Sequence, residues 1–283
     1  MTMSVPAWRA AGLSFLLLAV LLLGWEYAVK SGGPTGGPAV DPELAALLSP
    51  AAAAGGQTAM PAPSEIGARL LYLLSDPFHQ RGTNDQGIGI QIAYSLWRVA
   101  AGFTLAALVA IPLGFVIGMS PLLNAALNPF IQVLRPVSPL AWMPLALYTI
   151  KDSSISSIFV IFICSVWPML LNTAFGVASV RREWLNVART LEAGRWKTAM
   201  RVILPAAAPT ILTGMRISIG IAWLVIVAAE MLVGGTGIGY WVWNQWNNLS
   251  IADIVIAILM IGLVGLALDR LLGWVAHWVA WQE

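Results

Sequence analysis

The sequence predicts an all-α, polytopic membrane protein with about six transmembrane helices. Hydrophobic residues make up 59% of the 283 residues and charged residues only 10%, whereas soluble domains carry about 25% charged residues. The apolar runs are about 20 residues long or longer, as helices need to cross a bilayer. Strands of a membrane barrel would instead alternate over segments of about ten residues. Lipid is therefore the predicted solvent for most of the surface.

Three parts follow one another along the chain. Residues 1–30 are predicted to form a transmembrane helix that is retained, because no clear signal-peptide cleavage site follows it. Residues 31–89 are predicted to be a periplasmic linker, rich in Gly, Pro and Ala, that includes a short amphipathic helix capped by Ser64. Residues 90–280 are predicted to form a five-helix core with a polar loop at 181–205.

The five core helices are predicted from apolar stretches that contain proline and glycine. Inside a membrane, such residues are tolerated where neighbouring helices satisfy the backbone or where the chain lines a cavity. The stretches are 90–119, 122–150, 153–179, 211–232 and 251–280.

A polar loop interrupts this apolar sequence at residues 181–205, which read RREWLNVARTLEAGRWKTAMRVILP. It contains six of the fifteen Lys and Arg residues of the chain. Because basic loops of membrane proteins stay in the cytoplasm, the loop is predicted to be cytoplasmic. With six spans, both termini are then cytoplasmic, and residues 31–89 and 233–250 lie on the outside.

Two short amphipathic helices are predicted inside the polar loop. Gly194 is expected to separate them, and Pro205 to end the second. Such helices favour docking to a cytoplasmic partner, and adsorption of the basic residues to anionic lipid is the alternative. Apolar residues at the i, i+3, i+4, i+7 spacing of one helix face are Trp184, Val187, Ala188 and Leu191 in the first helix and Trp196, Ala199, Met200 and Ile203 in the second.

The polar loop and its flanking spans resemble the permease subunits of bacterial ABC importers. That family carries the motif EAA–x3–G–x9–I–x–LP. Here Asn186-Val187-Ala188 stands at EAA, Glu192 at the glycine, and Leu204-Pro205 at the end. Longer stretches resemble the nitrate, taurine and alkanesulfonate group, and most of all its nitrate-type members with their bicarbonate and cyanate relatives. These stretches include SLWRVAAGF (95–103), NPFIQVLRPVSPLAWMPLAL (128–147) and AAEMLVGGTGIG (228–239).

This resemblance implies a type I ABC importer permease in the bacterial inner membrane. It implies a homodimer of such chains, two cytoplasmic ATPase subunits, identical or not, and a periplasmic or lipid-anchored substrate-binding protein, with no nucleic acid. The implied substrate is a small anion, nitrate or nitrite first, then bicarbonate, cyanate, or taurine and alkanesulfonates. The implied coupling residues are Trp184, Val187, Ala188, Leu191, Glu192, Gly194, Leu204 and Pro205.

The sequence contains no GxxxxGK[ST] phosphate loop. The glycine-rich run at 234–239 follows a membrane span rather than a strand, so we expect a tight external turn there. The chain is therefore not expected to be an enzyme or to carry a cofactor, and ATP and Mg²⁺ are expected on the partner subunits. Its two histidines, His79 and His277, lie far apart, which disfavours a metal site or an intramembrane enzyme. A stand-alone secondary transporter remains as an alternative, although such proteins often show internal repeats and this sequence shows none.

Ionisable residues within predicted spans are candidates for substrate contact, because a charge in the membrane is costly. Arg135 lies among three prolines, and its guanidinium suits a small oxyanion, with a structural salt bridge or an interfacial position as alternatives. Glu230 is expected to pair with Arg135 or Arg98, or to reach the headgroups. Trp142 lies deep in its span and is a candidate for packing along a pathway. Arg216 is expected to extend toward the membrane surface.

Overall fold

The structure is a computed structural model that describes residues 7–31, 60–82 and 85–279. Helices form its regular structure, and the described ranges contain one isolated β-bridge, between Gln80 and Gln86. A short 3₁₀ turn, Pro139–Trp142, and a π turn, Ala199–Ile203, join some of the helices. The helices are α1 (Ala7–Ser31), α2 (Pro63–Ser75), α3 (Ile88–Met119), α4 (Pro121–Leu134), α5 (Met143–Ile150), α6 (Ser153–Ala178), α7 (Arg182–Thr190), α8 (Arg195–Thr198), α9 (Leu204–Val233), α10 (Ile238–Asn247) and α11 (Ile251–Val279).

Within the described residues, five helical runs are long and apolar enough to cross a membrane. They are α1, α3, α6, the run from α8 to the end of α9, and α11. A sixth span results if α4 and α5, which are bent by 82° relative to each other, count as one. Pro136 and Pro139 lie at this bend and remove backbone donors that a continuous helix would need. The predicted count of six spans is therefore reached when the bent pair is counted as one span.

The chain divides into two compact units, Met1–Pro77 with Gln245–Ile258, and Phe78–Asn244 with Leu259–Glu283. In the first unit, the guanidinium of Arg69 donates to both carboxylate oxygens of Asp253, at 2.8 and 3.0 Å. This pairing raises the pKa of Arg69, and its two hydrogen bonds tie α2 to the start of α11.

The predicted N-cap of α2 is wrong by two residues. The helix begins at Pro63, with Ala62 as its N-cap, because proline has a preset backbone angle that suits the first helical position. Ser64 instead donates its hydroxyl to Glu26 of α1 at 2.8 Å.

In the second unit, α3 packs closely on α6 through small residues. A Cβ atom at Gly114 would lie 2.7 Å from the carbonyl oxygen of Leu170, and one at Gly118 would lie 2.5 Å from that of Ala174. Alanine therefore does not fit at these crossings, and the two backbones touch as small residues in membrane helices allow. The small residues recur every four positions along α3, at Gly102, Ala106, Ala110, Gly114 and Gly118.

The helix α9 bridges α6 and α11 in the same unit. On one side, Ser218 donates its hydroxyl to the Ser165 carbonyl at 2.8 Å. On the other side, Arg216 makes two hydrogen bonds to the carboxylate of Asp269, at 2.5 and 2.6 Å. Arg216 therefore pairs with a carboxylate of a neighbouring helix, and its predicted extension toward the membrane surface stays a prediction.

Candidate functional site

The first helix of the polar loop ends at a residue in the left-handed conformation, Glu192, with φ of 52°. The N–H of Glu192 donates to the Arg189 carbonyl and that of Ala193 to the Ala188 carbonyl, at 2.9 and 3.0 Å. These bonds form a Schellman-type helix end, in which glycine is the usual left-handed residue. Gly194 has φ of −57° and begins the next helix. The break therefore lies at Glu192 and not at Gly194 as predicted.

We expect Glu192→Gly to raise the free energy of unfolding by about 1 kcal/mol, because glycine adopts this left-handed backbone without the steric cost of a Cβ. Denaturant unfolding of the detergent-solubilised protein measures the change. The matched control is Asn186→Gly in the interior of α7, which is expected to destabilise. If both variants destabilise to the same extent, the left-handed assignment of Glu192 is wrong.

The second helix of the polar loop does not end at Pro205, contrary to the prediction. The helix α8 continues through the π turn at 199–203 into α9. The Leu204 N–H donates to the Ala199 carbonyl, five residues back. Pro205 falls in the first turn of α9. Proline lacks the backbone N–H that a regular α-helix needs. It is tolerated here because the preceding π turn has already replaced the usual bonds to the fourth residue back by bonds to the fifth.

The apolar residues of the polar loop divide into a buried and an exposed set. Ala188 and Ile203 are buried, and Leu204 packs against the cluster formed by Val177, Ile203, Ala207 and Ile211. Leu191 and Trp196 are 74% and 75% exposed. Ala188 thus holds α7 in place, whereas the exposed set remains available for a partner. The exposed set, called the apolar row below, consists of Trp184, Val187, Leu191, Trp196 and Met200.

A cavity of about 480 Å³ lies in the second unit, beside the bend that follows α4. Arg135 is the one charged residue among those that line it. Within the described ranges, its guanidinium has no carboxylate within salt-bridge distance. The other walls come from α6 and α9, and include Cys164, Trp167, Asn172, Phe175, Ile217 and Ile221.

A second cavity, of about 560 Å³, adjoins the first. Arg135 and Leu171 line both, and Asn128 and Gln132 of α4 line the second. The cation therefore lies at the point where the two cavities meet.

The other two predicted pathway residues do not line either cavity. Trp142 is partly buried and packs on an apolar cluster that includes Met143, Val160 and Val225. Glu230 is 1% exposed and pairs with Arg98 at 2.8 Å. Of the two partners that the sequence offered for Glu230, the structure places Arg98 beside it and leaves Arg135 in the cavities.

The Arg98–Glu230 pair lies in a buried polar cluster at one end of α3. Ser95 donates its hydroxyl to Glu230 at 2.8 Å, and Arg98 also donates to Ser154 at 2.8 Å and to the Thr236 carbonyl at 2.6 Å. Sequence reasoning had not singled out Ser95 or its neighbour Gln91 for this cluster. The available signal was their i, i+4, i+7 spacing with Arg98, which marks a polar stripe on an otherwise apolar helix.

The cluster holds the glycine-rich turn that follows α9. The N–H groups of Gly237 and Gly239 donate to Gln91 and Glu230, at 2.6 and 3.0 Å. Gly234 and Gly235 have φ of 79° and 95°, and a Cβ on Gly239 would overlap the carbonyl oxygen of Val227. The tight turn is present as predicted, and its external position stays a prediction.

Comparisons with known proteins agree with this architecture. The chain is 46% identical over 228 residues to the nitrate import permease protein NrtB of Leptolyngbya laminosa, covering 81% of this chain and 82% of that protein. It is 44% identical over 227 residues to the bicarbonate transport system permease protein CmpB of Synechococcus elongatus, covering 79% and 82%.

A solved structure shares the fold at low sequence identity. It is a chain of the MetNI methionine ABC transporter in an inward-facing conformation, with a TM-score of 0.58 and 12% identity. The match covers 75% of this chain and 99% of that one. The predicted fold class, an ABC importer permease, is confirmed.

The family match covers the polar loop, all of the residues that line the two cavities, and the glycine-rich turn. Residues 110–281 match the family described as binding-protein-dependent transport system inner membrane component. This chain belongs to that family, and it is an inner membrane permease of an ABC transporter.

Proposed function

We propose that the chain is the permease subunit of an ATP-driven importer for a small oxyanion, either nitrate or bicarbonate. The observation that carries this proposal is the 44–46% identity to nitrate and bicarbonate permeases over about four fifths of the chain. Nitrate remains our first choice. Nitrite, cyanate, and taurine or alkanesulfonates are the other substrates that the sequence resemblance implies.

Arg135 is the substrate contact in this proposal. It supplies the only charge among the residues that line the two cavities. Its guanidinium carries fixed donors that match two oxygens of a planar anion. Since no carboxylate neutralises it within the described ranges, the anion can become its counterion. Trp142 and Glu230 act through packing and through the buried cluster.

The apolar row is the docking surface for the ATPase subunits in this proposal. Six exposed Lys and Arg residues surround it, and they favour a cytoplasmic position for the loop, with both termini on the same side. The partner subunits bind ATP and Mg²⁺, and their closure moves the loop. The complete importer also contains a second copy of this chain and an external binding protein, either periplasmic or lipid-anchored.

Uptake by the complete transporter tests the substrate. The complex is purified through a tag on this chain. The purification also shows whether ATPase subunits bind to the chain, which a stand-alone secondary transporter would not need. It is reconstituted in vesicles with ATP inside and the binding protein outside. We expect ATP-dependent uptake of labelled nitrate or bicarbonate. Uptake that proceeds without ATP or without partner subunits would contradict the proposal.

We expect Arg135→Gln to reduce this uptake about tenfold or more, because a charged hydrogen-bonding partner of the anion is lost. Arg135→Lys keeps the charge and should retain more activity than Arg135→Gln. ATPase activity of the assembled complex serves as the control for folding. If both variants transport at the wild-type rate, Arg135 does not contact the substrate.

A further inference from the structure

We infer that Asn128, Gln132, Arg135 and Asn172 form a polar lane that binds a small, singly charged oxyanion as it passes between the two cavities. This inference rests on the proposed function and specifies which side chains recognise its substrate. It assigns a role to three carboxamides that the sequence reasoning had not singled out.

The arrangement of α4 places three of these residues in one line. Asn128, Gln132 and Arg135 follow each other at i, i+4 and i+7, so they share one helix face. All three line the second cavity. Asn172, on α6, lines the first cavity, and Arg135 lines both. The four polar side chains therefore extend through adjoining spaces without interruption by an acidic residue.

The carboxamides are free to bind an anion. Within the described ranges, Asn128 and Gln132 have no side-chain hydrogen bond, and Asn172 uses one N–H for the Pro168 carbonyl at 2.8 Å. The side chains of Asn128 and Gln132 are exposed, so an anion in the second cavity can reach their N–H groups. Carboxamide N–H groups donate to oxygens of an anion but carry no net charge of their own.

The single positive charge of the lane suits the passage of a singly charged anion. One guanidinium matches one negative charge, and neutral donors on either side hold the anion less tightly than further cations would. A pathway needs sites that are favourable enough to enter and weak enough to leave. A lane with several cations would hold the anion too tightly, and one with acidic residues would repel it.

Two nearly isosteric replacements of Gln132 test the lane in the reconstituted transporter. Gln132→Met removes the donors, and we expect it to reduce nitrate uptake about tenfold. Gln132→Glu keeps the shape but adds a negative charge near Arg135, and we expect a loss of about a hundredfold. A purely structural role would not make the loss depend on the sign of the charge. Co-purified ATPase subunits and basal ATPase activity confirm that each variant assembles.

Asn124→Asp is the matched control, because it adds a similar charge to α4 at a residue that lines neither cavity. We expect it to keep most of the uptake. The lane is overturned if Asn124→Asp is as harmful as Gln132→Glu, or if Gln132→Glu and Gln132→Met are equally active.

The outcome for the wild-type transporter separates the lane from the proposed substrate. If the wild type transports another singly charged oxyanion instead of nitrate or bicarbonate, the proposed substrate is wrong. The variants are then measured with that anion, and the lane predicts the same order of uptake rates. Transport of an uncharged or cationic solute would overturn both the lane and the proposed function.

Discussion

Glu230→Ala is expected to lower the free energy of unfolding by about 3–5 kcal/mol, because it leaves the Arg98 guanidinium buried without its counterion. The cost is large because Arg98 and Glu230 are only 6% and 1% exposed. The change also removes the acceptor for Ser95 and for the Gly239 N–H. Thermal or denaturant unfolding in detergent measures it.

A double-mutant cycle distinguishes the ion pair from simple loss of volume. Arg98→Ala alone should be comparably destabilising, whereas the double variant should cost less than the sum of the two single changes. Asp269→Ala serves as a matched control, since it breaks a pair with Arg216 whose side chains are about half exposed. Additive losses at Arg98 and Glu230 would show that the two charges do not depend on each other.

Leu191→Asp is expected to reduce the rate of ATP-driven uptake about tenfold or more, while the complex still hydrolyses ATP. Leu191 is 74% exposed, so the replacement does not disturb the interior and the protein should insert normally. A carboxylate in the apolar row loses its apolar contact with the partner and brings a charge that must be desolvated. Uptake and ATP hydrolysis measured on the same reconstituted vesicles give the two rates.

Thr190→Asp is the control for this experiment, because it adds the same charge one residue away and outside the apolar row. It should leave uptake close to the wild-type rate. Full uptake by the Leu191→Asp variant would refute the docking role of the row. Equal losses in both variants would instead show that added negative charge anywhere on α7 is harmful.

The fold was largely predictable because its signals are strong and local. Runs of apolar residues determine the spans, and the small residues at Gly114 and Gly118 determine where α3 and α6 touch. The bend after α4 was less predictable, since the prolines show that a regular helix is interrupted but not by what angle. The 82° value depends on the packing of α5.

The site was predictable only in part. Arg135 was identified because a charge in an apolar span is conspicuous, but nothing in the sequence shows which of two arginines Glu230 contacts. That choice depends on the approach of α3 and α9. The π turn before Pro205 was also unpredictable, because proline at this position is equally compatible with a helix end. Glu192 shows a third limit, since the hydrogen bonds of the helix end hold it in a left-handed conformation that local preference assigns to glycine.

The π turn at 199–203 sets how the two ends of one continuous helical run are rotated relative to each other about the helix axis. Arg195–Val233 is a continuous run of 39 residues, about 58 Å long at the α-helical rise. It carries Trp196 at one end, and Ile217 and Ile221 in the cavity wall farther along. Adding or removing one residue in the turn rotates one face against the other by about 100°. The length of this turn, rather than any side chain in it, therefore sets the direction of Trp196 when Ile217 faces the cavity.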